Sequence, residues 1–274
     1  MKRAALSIET FHKASLVHDD IEDDDQYRYG VETLHRRYGT ATAINVGDYL
    51  IGLGYRLVSR EARTLGPDVA ADILDSLADA HMRLCEGQGA ELLWRDSRNK
   101  RLLPADALHI YALKTAPAFE AALYTGLRLA GPADDYREPI GEFARHLGVA
   151  FQILNDLGDW QGDANNKLLA GGDVLGGRPT VLWALALEGL ASEDRAELES
   201  LASQTPPTSD IVEQVRRLYE QADVFAKAAE LVDQHQRSAL AIAGNLRPES
   251  LRRLLYYLVE IVLRPVGNAL RGVP

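Results

Sequence analysis

The chain has 274 residues, with 40 acidic against 30 basic side chains, which gives a formal net charge of −10. This balance excludes the broad basic face that duplex nucleic acid or an anionic lipid surface requires, although a few arginines can still bind a phosphate ester. An apolar fraction of 46% and a charged fraction of 26% are typical of a folded globular protein and exclude a disordered one.

The single cysteine, Cys85, excludes an intrachain disulfide and a cysteine-rich zinc site. No apolar run reaches the ~18–20 residues that a membrane span needs. The basic start of the chain is not followed by an adequate apolar stretch, so we expect no secretory signal peptide. These features together predict a cytoplasmic protein without a transmembrane segment.

Taken in chain order, the spacing of apolar residues is helical almost everywhere, and alternating strand patterns are nearly absent. The spacing predicts helices over 9–24, 41–60, 67–94, 104–129 and 137–160. Glycine, asparagine and aspartate then dominate 161–179, which predicts a long loop. Long loops inside compact domains are commonly functional.

Beyond a proline break at 206–207, apolar residues recur at alternating steps of four and three, which predicts one helix over 211–232. The stripe consists of Ile211, Val215, Leu218, Ala222, Phe225, Ala229 and Val232. A coiled coil also shows this pattern, but three heptads in a compact chain favour a helix inside a bundle. Shorter helices over 249–263 and 266–270 complete a predicted all-α fold, with one domain spanning 1–274.

The first chemically informative segment is 15–25, where six carboxylates fall within seven positions directly after apolar helix residues. Asp19 and Asp23 lie one helical turn apart on one face, where like charges repel unless a cation sits between them. Several hard oxygen ligands on one face suit Mg²⁺, which usually also takes phosphate oxygens of a substrate. An acidic run taken alone is more often a solvated helix end, which remains the alternative.

A second acidic stripe follows the apolar helix that ends near 159. Asn155 and Asp159 share a face there, and Asp156 is adjacent. Two such segments on separate helices can face each other across a bundle and bridge metal ions to a diphosphate. The repeated arrangement favours a metal–diphosphate site over two solvated helix ends.

The two segments and the motifs between them resemble the trans-isoprenyl diphosphate synthase (polyprenyl synthetase) family. Asp19, Asp20 and Asp23 match its DDxxD motif. Further matches, in family order, are Arg28-Tyr29-Gly30 with Thr33 and His35, Ala43-Ile44-Asn45-Val46-Gly47-Asp48, Gly87-Gln88 with Glu91, Lys114-Thr115, Phe151-Gln152, and Arg178 with Thr180. The likeness runs from Glu9 to about Thr180.

This resemblance implies an isoprenoid-synthase fold, a single-domain helical bundle around a central apolar cavity that is usually a homodimer. It implies an enzyme that condenses an allylic diphosphate with isopentenyl diphosphate into a longer trans-polyprenyl diphosphate. Mg²⁺, three ions with bound diphosphate, would be held by Asp19, Asp20, Asp23, Asn155, Asp156 and Asp159.

The resemblance also implies roles for the cationic and polar side chains. The allylic diphosphate would be bound by Arg28, Lys114, Arg178 and Lys167, the last of which stands two positions before the family's lysine. The catalytic residues would be Lys114, Thr115 and Gln152, of which Thr115 and Gln152 would lie beside the allylic cation. His12 would contact isopentenyl diphosphate.

Product length follows from the helix before Asp19. Ser15 and Ala14, one turn away, are small enough for a prenyl tail to pass, and Phe11 lies one turn further as a floor. This predicts products of geranylgeranyl size or slightly longer.

The chain departs from the family pattern at specific positions. The family's upstream Gly-Gly-Lys-Arg-x-Arg-Pro segment has no counterpart, so we expect the N-terminal helices of the family to be missing. Tyr29 replaces an arginine, and Asn155 replaces an aspartate, whose carboxylate is the better Mg²⁺ ligand. Two alternatives stay open: a terpene-synthase-like enzyme that ionises an allylic diphosphate and cyclises or quenches it, and a non-catalytic partner subunit of a prenyl synthase.

Overall fold

A computed structural model describes residues 1–160, 171–202 and 209–264 of the chain. The helices are α1 Lys2–Glu22, α2 Leu34–Tyr38, α3 Thr40–Ser59, α4 Ala62–Leu65, α5 Pro67–Asp96, α6 Pro104–Ala130, α7 Arg137–Asp159, α8 Gly172–Leu175, α9 Val181–Gly189, α10 Ser192–Ala202, α11 Ser209–Gln221, α12 Val224–Asn245 and α13 Glu249–Val262. Within these ranges, a 3₁₀ turn, Asp134–Tyr136, and an antiparallel hairpin of β1 (Tyr27–Arg28) and β2 (Val31–Glu32) complete the regular structure. The predicted all-α class is confirmed.

Most predicted helices agree with the structure to within a few residues, notably α3, α5, α6, α7 and α13. The first helix begins earlier than predicted, at Lys2. Helix α9 was not predicted because Val181–Leu187 are all buried, and a helix that is apolar on every side carries no periodic signal. Helix α10 was also missed, and α8 lies inside the predicted loop. Residues 161–170 of that loop and the predicted helix over 266–270 lie outside the described residues.

The prediction of one continuous helix over 211–232 is wrong. Helix α11 ends at Gln221 and α12 begins at Val224, with Asp223 between them at a φ of 54°. A short polar side chain tolerates this left-handed conformation better than most residues do. After the break, Ala228 is buried and the predicted Ala229 is exposed, whereas Val232 is buried as predicted.

The described residues form two compact units. The first comprises 1–82 and 118–140, and the second comprises 83–117, 141–160, 171–202 and 209–264. The core of the first unit consists of Val58, Ile73, Leu77, Ala80 and Ala121. Among the helices of the described ranges, none has the length and apolar character needed to cross a membrane.

In the first unit, α1 packs closely on α3 because two glycines of α3 leave room for bulky side chains. A Cβ at Gly47 would lie 2.2 Å from Nε2 of His18, and one at Gly54 would lie 2.8 Å from the Phe11 ring. The Ser7 hydroxyl also donates to the Gly54 carbonyl oxygen at 2.7 Å. Since these contacts fix the register of α1 on α3, they also fix where the acidic end of α1 lies within this unit.

In the second unit, an aromatic cluster holds the end of α7. The Trp160 ring lies 5.2 Å from Tyr219 and 5.6 Å from Phe225, centroid to centroid. Trp160 and Tyr219 are almost completely buried. Because Trp160 directly follows Asp159, this cluster anchors the second acidic segment.

A histidine pair joins α7 to α12 and should make the stability of the fold sensitive to acid. Nδ1 of His146 lies 2.9 Å from Nδ1 of His235. Burial, with further contributions from His146 and Arg145, lowers the pKa of His235 to about 4. Burial also lowers the pKa of His146. Since the folded state disfavours the protonated rings, the pair contributes its full stability above pH ~6.5 and loses it as the pH falls toward 4.

We expect protonation of this pair to lower the free energy of unfolding by about 1–2 kcal/mol between pH 7 and pH 4.5. Urea unfolding across this range measures the loss, and His235→Asn should reduce the slope. His109→Asn is the matched control, because His109 is an exposed histidine on another helix. An unchanged slope for His235→Asn would show that the pair does not titrate with folding.

Candidate active site

The first acidic segment lies at the C-terminal end of α1. Asp19 and Asp20 are in its last turn, and Asp23 is the C-cap residue. The partial negative charge of a helix C-terminus opposes carboxylates there, which makes cationic partners favourable. Asp19 and Asp23 are half-buried and one turn apart, whereas Asp20 is only 6% exposed.

The buried Asp20 is held by Arg28 from the β-hairpin. Nε of Arg28 lies 2.7 Å from Asp20 Oδ1, and Nη2 donates to the same oxygen. The chain returns to this point because Tyr29 and Gly30, at φ 53° and 79°, form a two-residue turn in which both positions have positive φ. Arg28, predicted to bind diphosphate, therefore pairs with the second carboxylate of the motif, and Tyr29 is 70% exposed at the tip of the turn.

The second acidic segment shows the same division of burial. Asn155 is exposed and Asp159 is half-buried, whereas Asp156 is 6% exposed. The Tyr111 hydroxyl of α6 donates to Oδ2 of Asp156. Burial, reinforced by the nearby Asp173 carboxylate, raises the pKa of Asp156 well above its usual range.

The structure brings two of the predicted polar residues into contact. The Gln152 side-chain amide donates to the Thr115 hydroxyl, one turn before Asp156 along α7. Lys114 lies next to Thr115, and its Nζ donates to Glu91 Oε2 of α5 at 2.6 Å. Glu91 is 7% exposed, so the Lys114 ion pair is largely withdrawn from water.

Asp173 contacts two of the predicted site residues but was not itself predicted from the sequence. Its backbone N–H donates to Asp159 Oδ2 at 3.1 Å, and its carboxylate accepts from Arg178 Nη1 at 3.1 Å. Burial, followed by repulsion from Asp159, raises the pKa of Asp173 to about 7. The sequence feature that could have identified Asp173 is its position as a carboxylate in a glycine-rich stretch, five positions before Arg178, which was predicted to bind phosphate.

Tyr111 was also missed, although it lies one turn before Lys114 on the same helix. Two predicted substrate-binding residues remain apart from these contacts. His12 is exposed on α1, seven positions before Asp19. Lys167 lies outside the described residues.

The donor chemistry of these segments fits Mg²⁺. Within the described ranges, no three His, Cys, Asp or Glu side chains converge into a preformed metal site. Mg²⁺ does not require one, since it is usually bound by one or two carboxylates together with water and substrate phosphates. The raised pKa values of Asp159 and Asp173 show that their negative charge is costly when buried, a cost that a divalent cation offsets.

Known proteins are similar to this chain in sequence and fold. The geranylgeranyl diphosphate synthase of Sulfolobus acidocaldarius is 27% identical over 95% of this chain and 79% of its own length. The all-trans-nonaprenyl-diphosphate synthase (geranyl-diphosphate specific) of Rhodobacter capsulatus is 30% identical over 96% of this chain and 77% of its own. Among solved structures, the geranylgeranyl pyrophosphate synthetase of Pyrococcus horikoshii Ot3 superposes with a TM-score of 0.84 at 27% identity, covering 96% of this chain and 79% of that one.

A polyprenyl synthase of Caulobacter crescentus CB15, complexed with calcium and isoprenyl diphosphate, superposes with a TM-score of 0.82 at 26% identity, over 96% of this chain and 78% of that one. The family model described as polyprenyl synthetase matches residues 1–220. This match covers both acidic segments and every motif between them. The chain therefore belongs to the polyprenyl synthetase family.

Proposed function

We propose that this chain is a Mg²⁺-dependent trans-prenyltransferase, which condenses an allylic diphosphate with isopentenyl diphosphate and releases a longer, geranylgeranyl-like diphosphate. The observation that carries the proposal is the pattern shared by the two acidic segments. In each, the second residue is a carboxylate that is 6% exposed and held by the protein, namely Asp20 and Asp156. The first and fifth positions of each segment are more exposed to solvent: Asn155 is exposed, and Asp19, Asp23 and Asp159 are half-buried.

The proposed Mg²⁺ ligands are accordingly Asp19 and Asp23 in one segment and Asn155 and Asp159 in the other, acting on one diphosphate with three ions. When bound, Mg²⁺ supplies charge neutralisation of the departing diphosphate. The raised pKa of Asp159 supports this assignment, because a cation stabilises the ionised form of a buried carboxylate. The polyprenyl synthase of Caulobacter crescentus CB15, crystallised with calcium and isoprenyl diphosphate, supports a divalent cation as cofactor.

The cationic side chains would bind the diphosphate oxygens. Arg28, Lys114 and Arg178 each lie in an ion pair with a carboxylate, which holds them in place before substrate arrives. The guanidinium groups present planar pairs of donors that match phosphate oxygens, and the Lys114 ammonium supplies a compact charge. Stabilising negative charge as it develops on the leaving group accelerates ionisation.

The hydrogen-bonded pair of Thr115 and Gln152 would lie beside the allylic cation, with the oxygen dipoles of both side chains available to it. Apolar surroundings exclude water, which would otherwise quench the cation. The double bond of isopentenyl diphosphate then attacks the cation, a carbon–carbon bond forms, and loss of a proton restores the double bond.

Incubation with geranyl, farnesyl or geranylgeranyl diphosphate and Mg²⁺, with and without isopentenyl diphosphate, tests the proposal. Longer prenyl diphosphates should form only when both substrates are present, and EDTA should abolish them. Hydrocarbon or alcohol formed without isopentenyl diphosphate would establish the terpene-synthase-like reaction instead. Absence of diphosphate release in every mixture would leave the partner-subunit role.

The size of the residue at position 15 should control product length. Ser15 is exposed one turn before Asp19, and Phe11 follows one turn further, held edge to face against Tyr55 with ring centroids 4.7 Å apart. Ser15→Phe would place a ring in the path of the growing chain, so we expect products to shorten by one or two isoprene units. Chromatography of the dephosphorylated products measures this.

Lys13→Phe is the matched control, because position 13 is also exposed but lies on the opposite side of α1. It should leave the product distribution unchanged. Unaltered products with Ser15→Phe would exclude a chain path along this face of α1.

We further propose that the chain acts as a cytoplasmic homodimer. Exposed apolar side chains on α3 and α5 support self-association: Ile44 is 44%, Tyr49 69%, Met82 63% and Leu93 76% exposed. Light scattering should give twice the chain mass of 30.2 kDa. A monomeric mass at micromolar concentration would contradict this assembly.

A further inference from the structure

We propose that Tyr111 is a positioning residue for the second acidic segment, in which its hydroxyl joins Asp156 to the first turn of α9. This inference rests on the proposed function, since the segment it positions is the one assigned to Mg²⁺ and diphosphate. In this arrangement Asp156 anchors the segment to the protein, and Asn155 and Asp159 bind the metal.

The Tyr111 hydroxyl makes two buried hydrogen bonds. It donates to Oδ2 of Asp156 and accepts the backbone N–H of Val181 at 2.7 Å. Val181 is the first residue of α9, where backbone N–H groups have no partner inside the helix. Because Tyr111 itself is 4% exposed, water does not compete readily for these bonds. One hydroxyl thus connects α6, α7 and α9.

A second contact fixes the register in which Tyr111 meets Asp156. Thr115 lies one turn after Tyr111 on α6, and Gln152 lies one turn before Asp156 on α7. The hydrogen bond between Thr115 and Gln152 therefore lies one turn away from the one between Tyr111 and Asp156, along the contact between the antiparallel helices α6 and α7. The helices stay close at the following turn, where a Cβ at Gly148 would lie 2.9 Å from the Ala116 backbone nitrogen.

These two hydrogen bonds between α6 and α7 determine the direction of the proposed metal ligands of the segment. With Asp156 fixed toward Tyr111, the helix geometry sets the direction of Asn155 and Asp159, which share the adjacent face of α7. The first segment uses the same arrangement with different chemistry, since Arg28 holds Asp20 there. Residues behind metal ligands orient them, and their loss typically weakens metal affinity by about 10–100-fold.

The first test compares Tyr111→Phe with Tyr124→Phe. Tyr124 is a matched control: it lies on the same helix, is 2% exposed, and its hydroxyl accepts from Arg137 Nη2 at 2.5 Å. Tyr111→Phe should raise the Mg²⁺ concentration for half-maximal diphosphate release by about tenfold or more. It should also reduce the rise in melting temperature that Mg²⁺ with inorganic pyrophosphate produces. Tyr124→Phe should change neither quantity, although both variants lose some stability.

Val181→Pro keeps the test decisive if Tyr111→Phe does not fold. Proline is tolerated at the first position of a helix and removes the N–H that the Tyr111 hydroxyl accepts. The preceding Thr180, at φ −82° and ψ 155°, already has the conformation that precedes a proline. We expect a severalfold rise in the Mg²⁺ requirement.

Wild-type Mg²⁺ dependence and thermal shift in both Tyr111→Phe and Val181→Pro would overturn the inference and make Tyr111 an ordinary core residue. Failure of the proposed function is a separate result, because the wild-type chain would then release no diphosphate. The thermal shift with Mg²⁺ and pyrophosphate would still compare the variants. If the wild type shows no such shift either, both proposals are overturned.

Discussion

Replacing Asp19 with asparagine should lower the rate of Mg²⁺-dependent diphosphate release by about 10²–10³-fold while leaving the fold intact. Asp19 is half-buried in the last turn of α1, on the face it shares with Asp23. The amide is close in size to the carboxylate but carries no charge and is a poorer Mg²⁺ ligand. The rate at saturating allylic diphosphate and a thermal melt without Mg²⁺ measure the two effects.

Asp20→Asn is the matched control, since the same change is made at the adjacent position. Asp20 is 6% exposed and receives two donors from Arg28, so its loss should cost about 1–3 kcal/mol of stability. Its Mg²⁺ requirement should change less than that of Asp19→Asn. Equal losses of rate at wild-type stability in both variants would contradict the division into ligands and anchors.

The variant Gly87→Ala should have the second largest effect on activity, because the added methyl group displaces Lys114. A Cβ at Gly87 would lie 2.7 Å from the Lys114 backbone nitrogen and 2.7 Å from the Leu113 Cβ. Since neither neighbour can rotate away, Gly87→Ala must separate α5 from α6, at a cost of about 1–3 kcal/mol. The separation also disturbs the ion pair of Lys114 with Glu91, so the KM for allylic diphosphate should rise.

Gly89→Ala provides the control two residues further along α5. A Cβ there meets no atom within 4 Å, and alanine in an exposed helix position stabilises by about 0.5–1 kcal/mol relative to glycine. The two variants should therefore shift the urea midpoint in opposite directions. Destabilisation of equal size in both would show that the α5–α6 contact is not tight at position 87.

The sequence predicted the helices that hold the acidic segments and the motifs between them, because each has one apolar face and a recognisable end. Motif order likewise singled out Lys114, Thr115 and Gln152 as candidates, and the structure places Thr115 and Gln152 in contact. Helix α9 escaped prediction because it is buried on every side, and the break at Asp223 depends on one residue in a left-handed conformation.

What the sequence did not reveal are the partners of its charged residues. Spacing along a helix shows which side chains share a face, but the helix that packs against that face depends on the tertiary register. Asp20 and Asp156 looked like metal ligands equal to their neighbours, and only packing shows them buried against Arg28 and Tyr111. Tyr111 itself looked like any aromatic residue of an apolar helix.

The ion pairs of Arg28, Lys114 and Arg178 have a consequence for selectivity. Each of these three cations already lies beside a carboxylate, so a bare anion such as inorganic phosphate or a nucleotide must displace that carboxylate before it can bind. A diphosphate that arrives together with divalent ions brings positive charge for the displaced carboxylates as well as negative charge for the cations. If the proposed function holds, these cations therefore select a ligand whose charge is balanced by bound metal, and abundant phosphate compounds lacking bound metal should be weak competitors.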